Sequence, residues 1–285
     1  MSAKRVFRNM SAVRVFQNMT AKRLFYLSGV TALCAWVLVP VYLIALGAFS
    51  GRAGVFKWPK SILPGDVSLE AMTLFLKIDG VWHAALNSLI AALLTMVFSI
   101  ALGAPAGYAL ARYSFRGADT FRLLVLLTRA FPLAILALPL TVAFIKVGLY
   151  DTPFGVSLIH TALALPFAAL VTASLFAGIP RELEEAAWVF GCSRWRAFRK
   201  VVLPLALPGI AAAAIFAFVI SWNEVFAAAV LTVRERTLTA YLLTVLLESP
   251  LHYRFAGGFI LIIPSVIFIF AVRRYLFAMW GVTTR

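Results

Sequence analysis

Charged side chains are scarce in this sequence of 285 residues: they make up 13% of it, against about 25% in a soluble domain. Acidic ones are scarcer still, at 11 against 26 lysines and arginines. Hydrophobic residues reach 63%, well above the roughly 45–50% of soluble chains. Such a balance excludes a soluble globular enzyme, and the same hydrophobicity excludes a disordered chain. The two cysteines, Cys34 in an apolar block and Cys192 in a basic loop, give neither zinc spacing nor a disulfide framework and are expected not to pair. His83, His160 and His252 are scattered and form no HExxH pair. Neither a GxxxxGK[ST] phosphate loop nor a GxSxG elbow occurs, so enzymatic chemistry is not expected here.

What is present is apolar length. A bilayer core of about 30 Å needs roughly 20 apolar residues of helix. Six stretches qualify: 25–49, 84–110, 121–146, 155–178, 205–232 and 257–279. The expected fold is therefore all-α, a polytopic membrane protein with six transmembrane helices. Residues 1–24 form a basic N-terminal segment and 25–285 the membrane domain. The first apolar run is longer than the 7–15 residues of a signal-peptide core, which reads as a retained helix. With the N-terminus inside, the cytoplasmic segments and their short flanks hold seventeen Lys and Arg against eight outside. Both termini are thus expected in the cytoplasm. The head carries a nine-residue near-repeat, Arg5-Val6-Phe7 recurring as Arg14-Val15-Phe16. Nine residues at 100° each place successive copies on opposite helix faces, which leaves a basic tether at the anionic inner leaflet or a partner-binding helix.

The segment between the fourth and fifth spans, 179–204, carries the most information. Pro180 suits the first turn of a helix, and Glu182 sits where the helix dipole favours an anion. A short helix over 181–190 is expected, ended by Gly191 in a left-handed cap. Ser193 can cap a second helix over 194–202, and Pro204 and Pro208 punctuate the start of span five.

Glu185-Ala186-Ala187, then Gly191, then Leu203-Pro204 follow the pattern EAA-x3-G-x9-I-x-LP, with Val201 in place of Ile and Phe190 where many members carry Asp. This resembles the signature loop of ATP-binding-cassette importer permeases. Asn87-Ser88-Leu89, Tyr108 to Arg112, Gly148 to Thr152 and Trp222-Asn223-Glu224 are similar to carbohydrate-importer permeases, most of all the maltose-type six-span subunit. The resemblance implies that the loop is a coupling helix docking on an ATPase, with Glu182, Glu184, Glu185, Ala186, Ala187, Gly191, Leu203 and Pro204 as its residues. Alanines 186 and 187 keep the helix slim, Glu185 can pair with a cation on the partner, and Gly191 permits a sharp bend. It also implies a second permease subunit in a heterodimer, two ATPase subunits, an extracytoplasmic solute-binding protein and a carbohydrate substrate. ATP and Mg would be bound by the partner ATPase, and no cofactor, metal or nucleic acid by this chain.

Arg129 and Glu224 are the ionisable residues farthest from loops, and an intramembrane charge is a functional candidate by default. Arg129 either lines the substrate path or snorkels and pairs structurally. Glu224, beside Trp222 and Asn223, either lines the path or makes a gate or packing hydrogen bond, and Asn87 lines the path or only caps a helix. Gly103 and Gly107 form a GxxxG that permits close helix packing. Pro105, Pro132, Pro139, Pro166 and Pro264 fall within spans, where each removes a backbone hydrogen bond and gives either a broken helix facing a water-filled cavity or a tolerated kink. The outside loop 50–82, with Phe56, Trp58, Lys57, Lys60, Asp66 and Glu70, is long enough to touch a soluble partner. Segment 238–247 is too short to span.

The expected function is ATP-driven carbohydrate or polyol uptake through the bacterial inner membrane. An importer of another solute, or a membrane scaffold or enzyme, are the rivals.

Overall fold

The computed structural model describes residues 3–59, 62–63, 65, 67–244 and 249–279, with side chains over 23–270 of these. The tail from 280, Lys60 and Asp66 of the outer loop, and the side chains of the N-terminal near-repeat lie outside the described residues. Helices follow one another throughout: α1 (Ala3–Ala48), α2 (Arg52–Phe56), α3 (Glu70–Lys77), α4 (Val81–Arg112), α5 (Ala118–Leu127), α6 (Leu133–Lys146), α7 (Pro153–Ala177), α8 (Glu182–Val189), α9 (Arg194–Ala197), α10 (Leu203–Asn223), α11 (Phe226–Leu231), α12 (Leu238–Thr244) and α13 (Leu251–Met279). A 3₁₀ turn, Thr128–Ala130, follows α5, and a π-helical turn, Phe198–Val202, joins α9 to α10. The one β feature among the described residues is an isolated bridge between Ser50 and Val67.

Five stretches are long and apolar enough to cross a membrane: Arg23–Ala48, α4, α7, Arg194–Asn223 and Leu251–Phe270. The expected third span is not one helix. It is a pair, Ala118–Ala130 and Leu133–Lys146, bent by 86°. The break falls at Phe131-Pro132. Proline has no N–H to give and disfavours helical backbone in the residue before it, and Phe131 is extended at ψ 121. Pro132 is the exception, however. Pro105, Pro139, Pro166 and Pro264 lie inside continuous helices, the tolerated-kink reading of the two. The expected fifth span also ends sooner, since α10 stops at Asn223 and Glu224 is extended before α11 resumes. The sixth begins at Leu251, six residues before the sequence pattern suggested.

The centre of the molecule is the pair α4 and α7, with α10 laid against both. Close approach comes from small residues. A Cβ on Gly103 would lie 2.9 Å from the Ala168 Cβ. One on Gly107 would lie 2.7 Å from the Ala173 nitrogen and 2.8 Å from the Ala169 oxygen, both backbone atoms that cannot yield. The GxxxG pair is thus a packing seam, as expected of small residues where no hydrophobic force drives helices together in lipid. Thr172 closes the seam by donating its hydroxyl to the Gly103 carbonyl at 3.0 Å.

Replacing Gly107 with leucine should separate α4 from α7. The expected outcome is loss of the monodisperse peak in size-exclusion chromatography in detergent. A variant eluting and melting like the wild type would show that the seam is dispensable.

Candidate functional site

Two polar constructions stand out, one at each end of the bundle. The first is the 179–204 loop. Pro180 lies just ahead of α8 rather than in its first turn. Arg181 takes the N-cap place, and Glu182, Glu184 and Glu185 fill the first turn, where the dipole favours anions. The C-terminal turn closes as the spacing predicts. Gly191 has φ +84, its N–H donates to the Trp188 carbonyl at 2.9 Å, and the Cys192 N–H donates to Ala187 at 2.9 Å. This is the Schellman arrangement that a left-handed glycine allows. Ser193 caps α9 by accepting from the Arg196 N–H at 3.4 Å. The helix is then α only to Ala197, and a π-helical turn replaces the rest of the expected 194–202 element.

α8 presents two faces. Glu182, Glu185, Ala186, Val189 and Phe190 are exposed, as is Gly191, whereas Glu184 and Ala187 are buried. Pro204 is exposed and Leu203 half-buried at the start of α10. Glu184 does not face outward with its neighbours. Its carboxylate accepts from the Arg112 Nε and, at 2.8 Å, from the Tyr108 hydroxyl. The two charged side chains are 7% and 4% exposed, and removing one partner of such a pair costs about 3–5 kcal/mol. Beside this pair lies a cavity of about 260 Å³, walled in part by Arg112, Arg181, Glu185, Trp188 and Arg194.

The second construction surrounds the break after α10. The Glu224 carboxylate accepts from the N–H groups of Phe226 (2.9 Å), Ala227 (3.0 Å) and Ala228 (3.2 Å). These are the donors that a helix start leaves without intrahelical partners. His160, fully buried in α7, holds the same carboxylate through Nε2 at 3.0 Å and Ser221 through Nδ1 at 2.7 Å. Glu224 therefore makes the packing hydrogen bonds that were one of its two readings. Trp222 is buried, stacks on Phe218 and donates its indole N–H to the Leu261 carbonyl at 3.0 Å. Asn223 is exposed and donates to the Val219 carbonyl at 2.9 Å.

Asn87 is not a helix cap, since α4 begins six residues earlier after Gly80. It is buried and donates to the Glu235 carboxylate at 3.0 Å, which also meets His83 Nε2 at 2.6 Å. Arg129 is exposed in the 3₁₀ turn at the bend of the broken span. The five residues proposed from sequence as a substrate path thus fall into three separate settings in this chain.

Sequence reasoning missed His160 and Ser221, whose only signal was polarity inside otherwise apolar spans. It also missed the work of Asp151. That residue sits at φ +58, and its carboxylate accepts from the N–H groups of Val233 (2.7 Å), Arg234 (2.9 Å) and Glu235 (2.9 Å). Burial raises the Asp151 pKa, but these three N–H donors and the Arg234 charge outweigh it, so the carboxyl ionises below its ordinary range.

An all-α bundle of apolar helices long enough to cross a membrane, with one bent pair and an exposed, capped loop helix, defines the class of a polytopic membrane protein. Residues 100–278 match the family described as binding-protein-dependent transport system inner membrane component, and the chain belongs to it. It is similar to the trehalose transport system permease protein SugB of Mycobacterium tuberculosis, 33% identical over 76% of this chain and 81% of that one. The diacetylchitobiose uptake permease DasC of Streptomyces coelicolor is 30% identical over 68% of this chain and 71% of its own. Among solved structures, a chain of a bacterial ABC transporter involved in import of the acidic polysaccharide alginate superposes with TM-score 0.69. It is 25% identical, and the match covers 96% of this chain and 98% of that one.

Two outcomes are expected. Glu224→Ala strips three N–H groups of their acceptor where the hydrocarbon offers no replacement. The detergent melting temperature should fall in the order wild type, Glu224→Gln, Glu224→Ala; a residue that served substrate alone would leave it unchanged. Because folding lowers the Asp151 pKa, its contribution is complete at neutral pH and is lost as pH falls through that depressed value. Asp151→Asn should lose it at pH 7 already. The readout is faster tryptic cleavage after Arg234 and Arg236 in the variant than in the wild type.

Proposed function

We propose that this chain is one of two permease subunits of an ATP-driven carbohydrate importer in the bacterial inner membrane, coupled through α8 to separate ATPase subunits. The observation that carries the reading is the exposed face of α8. Glu182, Glu185, Ala186, Val189 and Phe190 project from a helix whose end is sharply turned at Gly191. Such a finger suits insertion into a cleft on a nucleotide-hydrolysing partner. Small alanines let the backbone approach, Glu185 meets a cation, and Phe190, 88% exposed, supplies apolar area. Leu203 and Pro204 set the angle at which α10 leaves the loop.

The excess of Lys and Arg in 1–24, 111–120 and 179–204 supports a cytoplasmic position for this loop and for both termini. The opposite end, with the Asp151-held segment 233–235 and the loop 50–82, then meets an extracytoplasmic solute-binding protein. Carbohydrate is the substrate class supported by the relatives' own substrates, trehalose and diacetylchitobiose. Transport follows from alternating access. ATP closes the motor subunits, α8 moves with them, and the two states of the bundle must bind ATP with different affinity for the coupling to run.

Gly191→Trp and Glu185→Arg should each abolish ATPase activity stimulated by the loaded binding protein while leaving membrane insertion intact. Stimulation at wild-type level in both variants would remove α8 from the docking role. A thermal-shift screen of mono- and oligosaccharides on the cognate binding protein identifies the sugar; stabilisation by amino acids alone would point to another solute.

A further inference from the structure

The outward face of α8 accounts for contact with a motor, but not for how motion reaches the spans. α8 is eight residues long and packs on α9 and the π-helical turn, which belong to its own loop. Its ties to α4 are polar. Glu184 accepts from Arg112 and Tyr108, both in the last turns of α4. Arg112 also donates through Nη2 to the Ile179 carbonyl at 3.0 Å, ahead of α8. Arg181 returns the bond by donating to the carbonyl of Arg112 at 3.0 Å. Cations at a helix C-terminus are favoured by its dipole, so Arg181 stabilises the end that it holds.

Beneath these bonds the Tyr108 ring meets Phe176 of α7 edge-on at 5.4 Å and Phe198 of the π-helical turn at 4.6 Å. The joint is thus seated where α4, α7 and the lead into α10 converge, directly below the glycine seam at Gly103 and Gly107.

We propose that Arg112 is a positioning residue for energy coupling: by clamping Glu184 it fixes α8 to the end of α4, so that displacement of the loop turns the α4–α7 pair as a unit. Neighbouring glutamates then divide the work, Glu185 facing the motor and Glu184 facing the spans. Rigidity is needed because a loose joint would let α8 follow the motor while the spans stayed in place. A buried, doubly hydrogen-bonded ion pair suits that demand, since rupture leaves a desolvated charge with no partner. The inference rests on the docking role of α8 proposed above.

The test uses the complete complex, with its second permease, ATPase and binding protein, in proteoliposomes. ATPase co-purification and solute imported per ATP hydrolysed are both measured. Arg112→Gln and Glu184→Gln should retain the ATPase yet lower the import-to-hydrolysis ratio at least about fivefold, the low end of ordinary coupling energies. The double exchange Arg112→Glu with Glu184→Arg should recover part of that loss, which a merely structural defect would not. An intact complex in which Arg112→Gln keeps the wild-type ratio overturns the inference alone. Absence of a nucleotide hydrolase from the purified wild-type complex overturns the docking reading and the inference with it.

A second measurement needs no change to the joint. Spin labels at Cys192 and at Tyr113→Cys, in a Cys34→Ser background, should report one distance in nucleotide-free and ATP-bound complexes. A distance that shifts with nucleotide overturns the rigid joint.

Discussion

Hydrocarbon offers no partner to a backbone N–H or carbonyl, so each place where a membrane helix stops must be satisfied from within the protein. This chain meets that demand largely with carboxylates. Glu224 takes up three N–H groups where α10 gives way to α11; outside the spans Asp151 takes up three in the 233–235 turn and Glu184 ties the loop to the end of α4 through Arg112. Acidic residues are few in the sequence, and Glu224, Asp151 and Glu184 serve as fasteners. The low acidic content and the ordered breaks are one fact seen at two scales.

The fasteners also explain what the apolar periodicity could not show. Hydropathy runs smoothly through 121–146 and 205–232, because it registers composition and not the satisfaction of N–H groups. In the first case Pro132 broke the run and Pro139 did not, although both lie in similar apolar surroundings. The difference rests on the backbone: at Pro132 the preceding residue is extended, while Pro139 is absorbed within α6. In the second case the break is made by Glu224 with help from His160, a residue 64 positions away in the chain. No local pattern announces a partner at that separation.

The short-range features were readable. Gly191, Ser193 and the GxxxG at 103–107 each depend on backbone freedom, a side-chain oxygen or the absence of a side chain, all local properties. The EAA pattern falls on α8, but it puts Glu184 and Glu185 in one group, since spacing says that they are adjacent and not which one faces inward. Burial separates them. The five path candidates likewise lie in three settings: Trp222, Asn223 and Glu224 around the end of α10, Asn87 in the network with Glu235, and Arg129 exposed in its turn.

The way the bundle is held suggests where it is stiff. α4 and α7 meet through glycine, alanine and threonine, with backbone in contact and little side-chain volume to rearrange. α5, by contrast, buries no side chain within this chain, and α6 buries Phe144 alone. Leu123, Leu127, Ile135 and Leu138 on those two half-helices are all exposed here. The bent pair is thus fastened to the bundle less firmly than the central helices. A stiff central pair, tied by ions at one end and carboxylate caps at the other, beside a weakly attached broken span, is the mechanical asymmetry an alternating-access machine needs. On the docking role proposed for α8, force applied at the loop would travel up the part that does not deform, and the rearrangement would fall on the bent pair.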